Sequence, residues 1–136
     1  AREVLERLLL AYDWGEAFTA LNLVVKPTLD ALFKEAFVDL ASANGDGLTA
    51  ALLQESRVDT TRSQAWSAAL ARYAIAQNPD NRGVIEGWAN AWQPLADRAV
   101  DGLAATFADA PAPADVATVG NRVAASVSAF TEAWSG

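Results

Sequence analysis

Carboxylates are the side chains of this sequence that could carry chemistry, because it contains neither histidine nor cysteine. Ser–His and Cys–His nucleophilic systems therefore cannot form within the chain. Asp13 and Glu16 lie three residues apart, on one face of a predicted helix. A general acid and a general base need two environments that separate their pKa values. The sequence shows no second pair of carboxylates that could face Asp13 and Glu16. We interpret both residues as capping or ion-pairing groups.

Metal ligands are also incomplete. A di-iron centre in a helical bundle uses inward-facing glutamates and Glu-x-x-His motifs. In this sequence the third residue after Glu16, Glu35, Glu55 and Glu86 is Thr19, Val38, Val58 and Ala89, respectively, and none of these is histidine. The turn at 44–47 resembles the start of a calcium loop, but its twelfth position is Leu53, where a glutamate is required. The turn at 78–83 fails in the same way at Ala89. We predict no iron, haem, flavin or nicotinamide bound by this chain.

Tryptophan is unusually frequent, with five residues in the chain. Tryptophan buries a large area and is enriched at the energetic centres of protein interfaces. We take Trp14, Trp66, Trp88 and Trp92 as interface candidates. The alternative for each is a place in a tryptophan-rich core.

Composition limits the class of protein. Hydrophobic residues make up 52% of the chain, and the net charge is −7. Because this charge repels phosphate backbones and anionic lipids, we expect no nucleic-acid partner and no membrane association. The apolar stretches are shorter than the roughly 18–20 residues of a membrane span, and the first residues lack the pattern of a signal peptide. We expect a cytoplasmic protein.

Apolar periodicity predicts an all-α fold with a single helical domain over residues 1–136. Four main helical segments are predicted near 2–43, 47–77, 80–107 and 115–134, with Pro27 and Pro94 as kinks or breaks. Short connections favour an antiparallel bundle.

The third segment is apolar on two sides. One side carries Val84, Trp88, Ala91, Trp92, Leu95 and Ala99, and the other carries Ile85, Ala89, Ala96 and Val100. A helix of this kind is expected to meet a second chain or a larger core.

Several blocks resemble β subunits of bacterial multicomponent di-iron monooxygenases, the group that acts on propane, alkenes, toluene, phenol and methane. The first block is YDWGEAFTALNLVVKP at 12–27. Further blocks follow in the same order: ANGD at 43–46, RSQAW at 62–66, NRGVIEGW at 81–88 and WQPLA at 92–96. The resemblance covers nearly the whole chain.

The resemblance implies a ferritin-like helical bundle, here a partial one, paired with an α subunit that holds the di-iron centre. It also implies a γ subunit in some complexes, a regulatory protein, a reductase and assembly into dimers of protomers. The family's β subunits have lost the iron ligands and are more than twice as long as this chain. The first helix begins without an N-cap residue, so we expect the chain to be the C-terminal part of a longer subunit.

Two hypotheses for function follow. The first is a non-catalytic structural subunit of a hydroxylase that oxidises hydrocarbons with O₂, in which the chain supports the α subunit and dimer assembly. The second is a free-standing helical bundle that binds a ligand or another protein. In isolation the chain is expected to self-associate, because its apolar faces exceed what one small bundle covers. The hydrocarbon substrate depends on the α subunit and is not encoded here.

Overall fold

The computed structural model of the chain describes residues 2–136, and helices are the regular elements within them. The elements are α1 (Arg2–Leu8), α2 (Trp14–Phe18), π1 (Thr19–Val25), α3 (Lys26–Ala31), π2 (Leu32–Ala36), α4 (Phe37–Ala43), α5 (Gly47–Glu55), α6 (Arg57–Gln77), α7 (Asn81–Ala108) and α8 (Val116–Ser135). The predicted all-α fold is confirmed. Among residues 2–136, none of the helices has the length and apolarity that a membrane span requires.

The first predicted segment, 2–43, is interrupted before Pro27, because the chain leaves the helix between α1 and α2. Asp13 begins the second helix as its N-cap, and its Oδ1 accepts a hydrogen bond from the Gly15 amide at 2.7 Å. The predicted apolar face is therefore interrupted. Leu9 is 86% exposed and Tyr12 is 99% exposed.

From Trp14 to Ala43 the helix is continuous, so Pro27 does not break it. The wider π1 turn precedes the proline, and the Lys26 amide donates to the Leu21 carbonyl five residues back. Such a turn changes the hydrogen-bond register where proline has no amide to donate. The buried Thr28 hydroxyl then donates to the Val24 carbonyl at 2.7 Å. Pro94 also lies inside a continuous helix, α7.

The second predicted segment, 47–77, divides into α5 and α6 at Ser56. The Ser56 hydroxyl donates to the Leu53 carbonyl at 2.7 Å and accepts a hydrogen bond from Lys34. A serine that bonds to the preceding turn competes with helix propagation. The third and fourth segments match α7 and α8 within about two residues, as expected for a strong periodic pattern.

Three apolar clusters form the core, and α7 contributes to all of them. One joins α1 and π1 to the middle of α7, the second joins α3, π2 and α8 to its C-terminal half, and the third joins π1, α6 and α8 to its N-terminal half. Buried α7 residues are Ile85, Trp92, Leu95, Ala96, Ala99, Val100, Ala104 and Phe107. Helix α7 is thus the central helix of the bundle.

Candidate subunit interface

An aromatic cluster lies at the surface where α2 meets α6. Phe18 makes edge-to-face contacts with Trp14, at a centroid distance of 6.1 Å, and with Trp66, at 5.8 Å. Trp14 is 73% exposed and Trp66 is 56% exposed, whereas Phe18 is half-buried. We refer to Trp14, Phe18 and Trp66 as the aromatic cluster. It brings together two of the four tryptophans selected from the sequence.

The N-terminus of α2 fixes the position of Trp14. Asp13 accepts hydrogen bonds from the Gly15 amide at 2.7 Å and the Glu16 amide at 3.4 Å, so the helix begins at Trp14. Aspartate is one of the preferred N-cap residues. Trp14 is therefore the first residue of α2.

Trp88 lies beside the cluster and packs over Gly15. A Cβ at position 15 would lie only 3.1 Å from the Trp88 ring, which is closer than ordinary van der Waals contact. Gly15 therefore allows the half-buried Trp88 ring on α7 to approach α2. The approach places a third candidate tryptophan next to the cluster.

Trp92 lies in the core, unlike the other three candidates. Its side chain is 1% exposed, its Nε1 donates to Glu16 Oε1 at 3.1 Å, and the Arg7 guanidinium lies 5.6 Å from its ring centroid. An indole covered by its own chain cannot reach a partner without unfolding. We therefore place Trp92 in the core and keep the other three as interface candidates.

The two predicted apolar faces of α7 differ in how this chain covers them. Ile85, Ala96 and Val100 of the second face are buried within the chain, which is the larger core that the sequence allowed as an alternative to a second chain. The apolar edge that does reach the surface belongs to the other face: Val84 is 48% exposed and Ala91 is exposed. Several helices of the chain together cover a broader stripe of α7 than a simple bundle would.

The carboxylates of residues 2–136 show no grouping of the kind that binds a metal ion. Glu16 accepts from Trp92, and Glu35 accepts from the Ser126 hydroxyl at 3.0 and 3.2 Å. Within residues 2–136, no three Asp or Glu side chains are grouped closely enough to hold a metal ion. A di-iron centre uses glutamates together with histidines. The donor set of this chain therefore does not fit such a centre.

The loop that resembled a calcium site connects and caps helices. Gly45 turns the chain with φ of 77°, and Asp46 caps α5 by accepting from the Thr49 amide at 3.0 Å. Hydrogen bonds from the Thr49 side chain and backbone hold the pKa of the Asp46 carboxyl below its usual 3.8. The side chain of Asn44 bonds the backbone of Ala112 as both donor, at 3.0 Å, and acceptor, at 2.7 Å. The turn is thereby joined to the linker before α8.

Sequence reasoning missed Phe18, which connects Trp14 to Trp66. The available signal was the i, i+4 spacing of Trp14 and Phe18, which places two aromatic rings on the same helix face. It also missed exposed apolar residues elsewhere, since Leu48 is 72% exposed and Tyr73 is 62% exposed. Exposure of this kind depends on which helices cover a face, and the periodic pattern does not contain that information.

Comparison with known proteins gives a consistent set of relatives. A sequence model described as methane/phenol/alkene hydroxylase matches residues 1–78. The β subunit of the hydroxylase component of the toluene-4-monooxygenase system from Ectopseudomonas mendocina is 48% identical over 101 residues, which is 74% of this chain and 30% of the relative. The hydroxylase small subunit of propane 2-monooxygenase from Gordonia sp. (strain TY-5) is 30% identical over 106 residues, 75% of this chain and 29% of that protein.

A third relative is the oxygenase component DmpL of phenol 2-monooxygenase from Pseudomonas sp. (strain CF600). It is 30% identical over 103 residues, 76% of this chain and 31% of that protein. The chain thus spans about 30% of the length of the curated relatives it matches. No solved structure matches the chain significantly.

Proposed function

Because the chain belongs to the methane/phenol/alkene hydroxylase family, we propose that it is a structural part of a hydroxylase β subunit. In this role it supports an α subunit that carries the di-iron centre, and it helps the hydroxylase dimer to assemble. The complex, with its reductase, regulatory protein and, in some cases, γ subunit, would oxidise a hydrocarbon with O₂ in the cytoplasm. The relatives' names support the subunit role, since they describe a β subunit and a small subunit of hydroxylase components.

Residue chemistry supports a non-catalytic role for this chain. The sequence contains no histidine, and the half-buried glutamates Glu16 and Glu35 accept hydrogen bonds from Trp92 and Ser126. These carboxylates contribute to packing between helices. We therefore assign the oxygen chemistry to the partner and the scaffold to this chain.

The observation that carries the proposal is the aromatic cluster at the surface. Trp14 and Trp66 are each more than half exposed, and the half-buried Trp88 ring packs against Gly15, the residue after Trp14. Contiguous exposed aromatic groups mark interaction sites, because stable monomers rarely leave such patches open to water. Tryptophan is also the residue most enriched among the energetic centres of interfaces. We propose that the cluster packs against the α subunit.

Co-expression of the chain with a di-iron hydroxylase α subunit from the same organism tests the role. The expected result is a stable complex that survives size exclusion, with iron found only in proportion to the α subunit. A chain that elutes apart from the α subunit as a monomer and binds a small apolar molecule tightly would instead support the alternative, a free-standing ligand-binding bundle.

A further inference from the structure

The outward side of helix α6 is apolar over most of its length. Its apolar residues recur at helical spacing, so they lie on one face. They are Val58, Ala65, Trp66, Ala69, Tyr73 and Ala76, and all are exposed. From the first to the last, this face is about 27 Å long at 1.5 Å per residue. We call it the outer face of α6.

Residue size is distributed on α6 in the opposite way to an ordinary surface helix. The fully buried residues of α6 are all small: Ser67, Ala68 and Ala71. Trp66 and Tyr73 are large, yet they are 56% and 62% exposed. A helix that covers a core usually turns its large apolar residues inward and its polar residues towards solvent. The outer face therefore has the composition of a surface that another polypeptide covers.

The charges of α6 are mainly positive. The helix contains three arginines and one aspartate, in a chain whose net charge is −7. Arg62 lies on the outer face one turn before Trp66, and its ion pair with Asp59 is loose, with 3.8 Å between the charged atoms. Arg72, at the edge of the face, donates to the Ala133 carbonyl and forms no ion pair within residues 2–136. A partner with carboxylates beside its apolar residues would match these charges.

Trp66 connects the outer face to the aromatic cluster. Its ring contacts Phe18 of α2 edge to face, at a centroid distance of 5.8 Å, and Phe18 contacts Trp14. The two surfaces therefore meet at Trp66 and form one apolar region across α2 and α6. Tryptophan, tyrosine and arginine are frequent among the energetic centres of interfaces, and the outer face has each of them.

We propose that a helix of the α subunit packs along the outer face of α6, with an apolar stripe flanked by aspartate or glutamate. This inference rests on the proposed function, because it extends the contact of the aromatic cluster along α6. A helix fits a face whose residues follow helical spacing, and the exposed Ala65 and Ala69 let its backbone approach closely. A second copy of α6 fits less well, since two outer faces would bring arginines together.

Photo-crosslinking within the complex of the chain and the α subunit tests the location. Ala69→p-benzoylphenylalanine places the reactive group in the middle of the outer face. Ala105→p-benzoylphenylalanine is the control, at an exposed position on the half of α7 that packs against α3, π2 and α8. Position 69 should crosslink to an amphipathic helix of the α subunit with acidic flanks, and position 105 should not crosslink to that helix. A crosslink from position 69 to a second copy, or none, would overturn the proposal.

A pair of charge reversals tests the chemistry of the partner. Arg62→Glu should weaken binding of the α subunit by about tenfold or more at low salt, with a smaller effect at high salt. Arg57→Glu makes the same charge change on the side of α6 that faces α3 and α8, and it should bind as the wild-type chain does. Equal weakening by the two variants would indicate an effect of net charge alone and would contradict an acidic helix on the outer face. Melting temperatures of both variants check that they fold.

This proposal and the proposed function fail in different ways. If the unmodified chain does not co-purify with the α subunit, both are wrong. If the complex forms but position 69 gives no crosslink to the α subunit, or Arg62→Glu binds as the wild-type chain does, only the helix on the outer face is excluded. The contact of the aromatic cluster with the α subunit then stands on its own test.

Discussion

At the scale of single residues, tryptophans that look alike in the sequence have opposite environments. Trp66 leaves 56% of its side chain exposed, while Trp92 is 1% exposed and donates to Glu16. The first can contact a partner, and the second stabilises the chain. Substitutions at the two positions should therefore separate assembly from folding.

Trp92→Ala should lower the free energy of unfolding by about 3–5 kcal/mol, because it removes a large buried ring and leaves a cavity. Trp66→Ala should change it by about 1 kcal/mol or less, as expected for a largely exposed position. Urea unfolding followed by circular dichroism measures both values. Equal losses in the two variants would show that the burial assigned to these side chains is wrong.

Asp115 makes the stability of α8 depend on pH. Its carboxylate accepts from the Thr118 hydroxyl at 2.6 Å and the Thr118 amide at 2.8 Å, and these bonds hold its pKa below the usual 3.8. A lowered folded-state pKa means that the cap contributes fully above pH 3.8 and is lost as the pH falls through the lowered value.

Asp115→Asn supplies the test, because asparagine also caps helices but does not titrate. The melting temperature of the wild-type chain should fall more steeply than that of the variant as the pH drops below 3.8. Parallel curves for the two proteins would exclude a role for the Asp115 charge. Other carboxylates titrate in both proteins, so the difference between the curves isolates this residue.

At the scale of elements, one side chain joins two loops that are distant in sequence. Asn44 donates to the carbonyls of Leu40 and Ala112 and accepts from the Ala112 amide. It thereby attaches the α4–α5 turn to the linker that precedes α8. The position of α8 depends partly on this contact.

Asn44→Ala should lower the free energy of unfolding by roughly 1–3 kcal/mol, because half-buried backbone groups lose their partners. Asn44→Asp keeps an acceptor for the Ala112 amide and should cost less. Thermal melts and amide exchange at Ala112 measure the effect. Unchanged exchange in Asn44→Ala would show that the contact does not hold the linker.

The sequence predicted helices where periodicity is strong, as in α7 and α8, and missed boundaries set by single polar residues. Asp13 followed by Glu16 fits a capping pattern that signals a helix start. The apolar spacing of Leu9 and Tyr12 nevertheless predicts one segment that continues across this point. The division at Ser56 depends on a side-chain bond to Leu53. The π turns before Pro27 and after α3 have no periodic signature, because the same apolar spacing suits an α-helix.

The candidate interface could be predicted only in part. The choice of Trp14, Trp66 and Trp88 used residue type alone, and the same reasoning also selected the core residue Trp92. Burial of an indole depends on which helices cover it, and that information lies in contacts between elements rather than along one helix. The contact between Phe18 and Trp66 likewise arises only from packing.

At the scale of the whole molecule, the side chains available as metal ligands predict whether the chain retains iron. No histidine is present, and the described carboxylates form no cluster that could hold a metal ion. Purified chain incubated with ferrous iron and then dialysed should retain far less than one iron per molecule. Stoichiometric iron after dialysis would contradict the assignment of the metal centre to a partner.

The central claim is that the aromatic cluster binds the α subunit, and the affinity of the α subunit for surface variants tests it most directly. Trp14→Ala and Trp66→Ala should each weaken binding by more than about tenfold, as truncation of an interface anchor does, with unchanged melting temperatures. Leu48→Ala, at a similarly exposed position on α5, should bind as the wild-type chain does. If both tryptophan variants bind the α subunit with wild-type affinity, the cluster is not the interface.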